Sequence, residues 1–284
     1  MFSWFRAVLL FCLLLFAVLA EAQNGKLFLV GNLVQGGLAF GQVAPGAKVQ
    51  VNGHWVRVSK DGEFIVGFGR DYPATAVLTA YEGTGSVVTR SFKIKARNYD
   101  VQRIDGLPDE QVNPGPNLML RIREERAKIA EARSVSDDRM DFKSGFIWPV
   151  KGRISGVYGS QRILNGFPRQ PHFGIDIAAP VGTPVIAPAP GIVTYVEDMY
   201  FSGNTLVLDH GQNLSSSFLH LHKVLVKVGD QVVQGQPVAL VGATGRVTGP
   251  HLDWRMNWYQ QRLDPALLMG EAPTGDQQSD QDLH

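Results

Sequence analysis

From Lys26 to about Tyr99, apolar and polar residues alternate: Val49 and Val51, Val56 and Val58, then Phe64, Val66 and Phe68, and later Phe92 and Ile94 around Lys93. Successive side chains of a strand point to opposite faces, so this period of two predicts half-buried strands. Asn52-Gly53 and Asp61-Gly62 punctuate the runs and predict hairpins. A small β-sandwich over residues 24–100 is the expected first domain. The period changes afterwards. Leu118, Ile122, Ile129 and Ala132 fall on one helical stripe, with Glu124 and Lys128 four apart on the exposed side. That predicts one amphipathic helix inside a linker spanning 101–144, whose stretch from Leu107 to Pro116 contains three prolines. Beyond Phe146 the strand pattern returns and runs to about Leu268, predicting a second β domain over 145–270. The polar residues 271–284 are expected to be disordered. The fold class expected is mainly β: a sandwich, a linker helix and an antiparallel-sheet domain.

The front of the chain adds an address. Ala7 to Leu19 is nearly all apolar, follows Arg6 and ends in Ala20-Glu21-Ala22, which predicts a cleaved export signal over residues 1–22. An uncleaved anchor is the alternative. No later run reaches the 18 apolar residues of a membrane span, so no stable span is expected after cleavage. Periplasmic placement follows, although a secreted protein would look alike.

With 27 basic and 26 acidic side chains the net charge is +1, which excludes a polybasic nucleic-acid binder. The one cysteine, Cys12, lies within the signal. A metal site would therefore use histidine and carboxylate ligands.

Three segments carry the candidate chemistry. In Pro171-His172-Phe173-Gly174-Ile175-Asp176-Ile177 the aromatic and isoleucines form one face of a predicted strand, and His172 and Asp176 share the other across the gap left by Gly174. In Phe218-Leu219-His220-Leu221-His222, alternation predicts Leu219 and Leu221 on one side and Phe218, His220 and His222 on the other. In His251 to Trp258 the apolar half is Leu252, Trp254, Met256 and Trp258, and the polar half begins with His251 and Asp253. A lone strand histidine is ordinarily a packing or surface residue. Three coincident strands in one sheet would instead gather His172, Asp176, His220, His251 and Asp253 on one face, a metal site with spare bases. His210, in Asp209-His210-Gly211, is expected to be structural, His222 to be an exposed strand end, and His54 and Trp55 to lie at the surface beside a turn.

At these residues the sequence resembles the lysostaphin-type, or LytM-type, zinc endopeptidases that hydrolyse peptidoglycan cross-links. The resemblance runs from about Trp148 to Leu268. It includes His172-x-x-x-Asp176, Gly203-Asn204, Phe218-x-His220-Leu221, Gly242-Ala-Thr-Gly and Gly249-Pro250-His251-x-Asp253. It implies a LytM-like duplicated hybrid motif, one zinc ion per chain, and the stem peptides of peptidoglycan as substrate. His172 and Asp176 would ligate the metal, and His220 and His251 would be the unligated catalytic pair. The third ligand in the family is a histidine where this chain has Asp253, and the family commonly has an acidic residue where this chain has Arg255. Two carboxylates bring more negative charge to the ion, so its acidifying power should fall. The resemblance therefore also admits a second role, a catalytically impaired relative that binds wall or activates another hydrolase. A protein regulator stays an open partner in either case.

Overall fold

The computed structural model describes residues 27–83, 85–106 and 115–269; the predicted signal, most of the proline-rich stretch and the polar tail lie outside them. The chain divides into two compact units. The first consists of residues 27–33, 39–66 and 73–95, and the second takes 34–38, 67–72 and everything from residue 96 onward. The structure is mainly β, with several antiparallel sheets.

Seven strands serve the first unit: β1 (Phe28–Gly31), β2 (Leu38–Gln42), β3 (Lys48–Val51), β4 (His54–Val56), β5 (Glu63–Gly67), β6 (Thr75–Tyr81) and β7 (Val87–Lys93). They form two antiparallel sheets, β1-β2-β5 and β4-β3-β6-β7. Alternation holds in β3 and β6, where Val49, Val51, Ala76 and Leu78 are buried, but β5 departs from it, with Phe64, Ile65 and Val66 all buried. Asn52 and Gly53 both take positive φ and close the β3–β4 hairpin, the backbone that a two-residue turn of matching twist requires. Asp61-Gly62 is a correction. It closes a local turn, but β4 and β5 belong to different sheets, so it hands the chain from one sheet to the other instead of making a hairpin. His54 and Trp55 are exposed, with Trp55 against the Tyr81 ring.

The second unit begins with β8 (Val101–Ile104) and the helix α1 (Pro116–Ala132), the one α-helix among the described residues. Pro116 starts α1 where its missing N–H costs nothing. Ile122 and, unexpectedly, Glu125 are its buried residues. The Glu125 carboxylate accepts from the Tyr200 amide at 3.0 and 3.2 Å and from Arg121 Nε at 2.7 Å. Lys128 reaches Glu197 at 2.6 Å instead of settling on Glu124.

The remaining strands are β9 (Arg153–Gly156), β10 (Gln161–Leu164), β11 (Phe167–Pro168), β12 (Ile175–Ala178), β13 (Pro184–Ile186), β14 (Gly191–Met199), β15 (Gly203–Asp209), β16 (Leu214–Val224), β17 (Gln231–Val232), β18 (Pro237–Val241), β19 (His251–Trp258) and β20 (Gln261–Leu263). The main sheet runs β17-β14-β15-β16-β19-β12-β9. One of its faces packs inward through Ile175, Ile177, Phe218, Leu252, Trp254 and Met256, all nearly inaccessible to solvent. The opposite face bears the chemistry. Among the described residues no helix is long and apolar enough to cross a membrane.

Candidate metal centre

Three adjacent strands build the site. β12 lies between β9 and β19, with Asp176 opposite both Gly156 and Asp253. Because directly opposed residues of an antiparallel pair share a face, the two aspartates lie side by side. His172 precedes β12 instead of lying inside a strand, as alternation had suggested; its amide bonds to the Ser160 carbonyl at 2.9 Å, and that loop aims it back at Asp176. His172 Nε2 and Asp176 Oδ1 are 3.1 Å apart. Both atoms are buried and neither has a hydrogen-bond partner. Orphaned polar atoms of this kind are expensive unless something absent completes them.

His172, Asp176 and Asp253 each offer one ligand atom, all within 4.8 Å of one another. Two donors on a tetrahedral zinc ion stand about 3.3 Å apart, so the first pair fits such an ion as placed and the third must close in slightly. The donor set, one imidazole and two carboxylates, suits zinc.

Two glycines make room for these side chains. A Cβ at Gly156 would lie 2.2 Å from Asp176 Oδ2, and one at Gly174 would lie 2.3 Å from Asp253 Oδ1 and 2.7 Å from Arg255 Cγ. The gap at Gly174 is thus taken by β19. Gly156 carried no signal in the sequence, since only the β9–β12 register brings it to the carboxylate.

Asp253 is not free. Arg255, two residues along the same face, donates from Nε to Oδ1 at 2.9 Å and from Nη2 to Oδ2 at 2.5 Å. Burial works to raise the pKa of Asp253, yet Arg255 and then His172 and His220 hold it below the ordinary carboxylate range. The pair is net neutral. Strand parity alone could have signalled this contact, because residues two apart in a strand share a face.

His220 and His251 complete the arrangement, with ring centroids 4.9 Å apart. His251 Nδ1 lies 2.8 Å from the Gly249 carbonyl and His220 Nδ1 lies 2.9 Å from the Thr244 carbonyl. A carbonyl only accepts, so each Nδ1 carries hydrogen, which leaves Nε2 as the nitrogen that can accept a proton. His251 Nε2 is 3.8 Å from Asp176 Oδ1. Burial lowers the pKa of His220, which favours its neutral, basic form.

The parity expected around His220 is reversed. Phe218 faces Trp254 on the packed side, while Leu219 faces Asp253. His220 still reaches the site because it adopts φ +63, a left-handed conformation that breaks the alternation. Thr244 holds the kink: its hydroxyl bonds to the Leu221 carbonyl at 2.9 Å and receives the Asn204 amide at 3.0 Å. Gly203 allows that approach, since a Cβ there would meet Thr244 at 2.2 Å.

His210 and His222 stay outside the site. The His210 ring is fully buried, with Nδ1 2.6 Å from the Pro190 carbonyl and Nε2 2.7 Å from Ser216 Oγ. His222 is exposed.

Comparison with known proteins agrees with this architecture. The pattern of Peptidase family M23 matches residues 170–265. A crystal structure of a Pseudomonas aeruginosa chain, described as a peptidase M23, superposes with a TM-score of 0.67 at 31% identity, covering 84% of this chain and 95% of that one. The chain belongs to peptidase family M23. Within this M23 chain, 112 residues are 42% identical to the peptidoglycan DD-endopeptidase ShyA of Vibrio cholerae, covering 38% of the chain and 26% of ShyA. A further match is the cell division protein DipM of Caulobacter vibrioides, 30% identical over 165 residues, covering 56% of the chain and 26% of DipM. The chain thus spans about a quarter of the length of these curated relatives. Its M23 segment contains every residue of the candidate metal centre.

Proposed function

We propose that this chain is an exported, zinc-dependent endopeptidase that hydrolyses the peptide cross-links of bacterial peptidoglycan. The observation that carries the reading is the buried pair His172 Nε2 and Asp176 Oδ1, 3.1 Å apart and without hydrogen bonds, with Asp253 beside it. His172, Asp176 and Asp253 would hold one zinc ion. Zinc bound there would supply Lewis acidity, polarising a carbonyl and making water a stronger acid. His220 and His251 would take a proton from the attacking water at Nε2 and return it to the leaving amine. The neighbouring carbonyls of Thr244 and Gly249 keep both rings in the orientation this needs. The apolar run and Ala20-Glu21-Ala22 support export to the periplasm. The substrate class is supported by the name of ShyA.

A second reading rests on Arg255. A guanidinium clamped on the third ligand opposes a nearby dication and fits a non-catalytic relative that binds wall or activates a separate hydrolase. Digestion of purified peptidoglycan separates the readings. Release of soluble fragments that stops with a chelator and returns with zinc supports the peptidase. A zinc-loaded protein that binds the wall and releases nothing supports the alternative.

A further inference from the structure

The sheet face that bears Asp253 also gathers three arginines. Arg255 lies opposite Ser217 of β16, and Arg262 of β20 lies opposite Asn257, two residues beyond Arg255 on β19. Arg133, just past α1, reaches the same face and donates from Nη2 to Ser217 Oγ at 2.8 Å. Arg262 donates from Nη1 to Asn257 Oδ1 at 3.0 Å. These partners are neutral; the carboxylate in the group is Asp253, and it is taken by Arg255. Three cations therefore face one anion.

The shortfall is visible atom by atom. Arg133 Nε is buried and has no hydrogen-bond partner, and neither has Ser215 Oγ on β16, two residues from Ser217. Burial, followed by Arg262 and Arg255, pushes the Arg133 guanidinium well below the usual arginine range. Burial and then Arg255 bring Arg262 down to about 10. A second cationic group stands on the Asp176 side: Arg162 Nη2 is 3.8 Å from Asp176 Oδ2, and Arg246 is disfavoured as a cation by burial and then by Arg162. In a chain whose net charge is only +1, this concentration is local.

Like charges packed away from water are costly unless an anion completes them. The planar guanidinium fork matches a carboxylate with two parallel hydrogen bonds. We propose that Arg133, Arg255 and Arg262 form a subsite for a free carboxylate of the peptide substrate, next to the scissile bond. This rests on the peptidase reading for the identity of the ligand as a peptide.

The test uses the full, zinc-loaded chain and two probes, a short acetylated alanine peptide with a free C-terminal carboxylate and the same peptide as its carboxamide. Calorimetric titration should show the acid binding at least about tenfold more tightly, a preference of about 1.4 kcal/mol. Arg133→Gln and Arg262→Gln should each cut that preference severalfold, Arg133→Lys should keep part of it, and Arg126→Gln on the exposed side of α1 should leave it intact. Equal or absent binding of acid and amide overturns the subsite. So does a preference that survives both glutamine variants, because the carboxylate would then sit on the metal or elsewhere. Peptidoglycan digestion by the wild type without carboxylate preference would end the subsite alone. Preference without digestion would end the peptidase reading alone.

Discussion

Asp253 shares its space with Gly174, and that closeness makes the glycine as necessary as the proposed ligand. A methyl group there would overlap Asp253 Oδ1 and come within 2.8 Å of the Trp254 carbonyl. Gly174→Ala should weaken zinc binding by about 10-fold to 100-fold, the usual cost of disturbing the groups that orient a ligand, and should lower stability by about 1–3 kcal/mol. A competitive zinc titration and urea unfolding would measure the two effects. Arg255 changes the expectation for Asp253 as well. From the sequence, Asp253→His restores the family's ligand and should retain or raise metal affinity. In the structure it leaves a guanidinium beside the metal with no carboxylate to bind. The single variant should therefore lose about 2 kcal/mol of stability, less than the ~3–5 typical of a fully buried broken pair, because Arg255 keeps 28% of its side chain exposed. Asp253→His with Arg255→Glu should recover both stability and zinc affinity. A single variant that binds zinc as well as the double would show that the two positions are not coupled.

At the level of single elements, β19 was legible in the sequence because nothing interrupts its alternation: Leu252, Trp254, Met256 and Trp258 are buried as a set. β16 was not. The positive φ of His220 has no counterpart in a pattern of apolar and polar residues, so alternation alone puts Phe218 and Leu219 on the wrong faces. Cross-strand neighbours such as Gly156 and Asp176 depend on register, which local periodicity does not specify. The helix shows the same limit. Its apolar stripe predicts Ile122, while buried Glu125 is explained by the Tyr200 amide and the Arg121 guanidinium that donate to it. Glu125→Ala should cost about 1–3 kcal/mol by orphaning that amide, and hydrogen exchange should speed up at Tyr200. His210 supplies a pH test for the β15–β16 turn. Burial lowers its folded pKa to about 4 from 6.5. Its stabilising contribution is therefore complete above pH 6.5 and falls as the pH drops toward 4, where the unfolded chain binds a proton that the folded one refuses. A His210→Asn variant should show a flatter stability profile between those values; an unchanged slope would mean that His210 titrates normally.

Across the whole molecule, the sheet concentrates on one face what the sequence scatters over three segments. The packed side anchors β12, β16 and β19 through Ile177, Phe218 and Trp254. The opposite side is left to imidazoles, carboxylates and arginines that a folding core would otherwise exclude. The sequence made the two clear histidine and aspartate groups legible, together with the family they resemble. It did not reveal that a guanidinium holds Asp253, the proposed third ligand. The central claim is that this face hydrolyses peptide bonds of the cell wall with a metal held by His172, Asp176 and Asp253. Its most direct test is fragment release from purified peptidoglycan by the purified chain, identified by mass. The account predicts cross-link cleavage that a chelator abolishes, that zinc restores, and that His251→Ala reduces by at least about 100-fold. Cleavage indifferent to both chelator and His251→Ala, or no cleavage by protein carrying one zinc per chain, would contradict it.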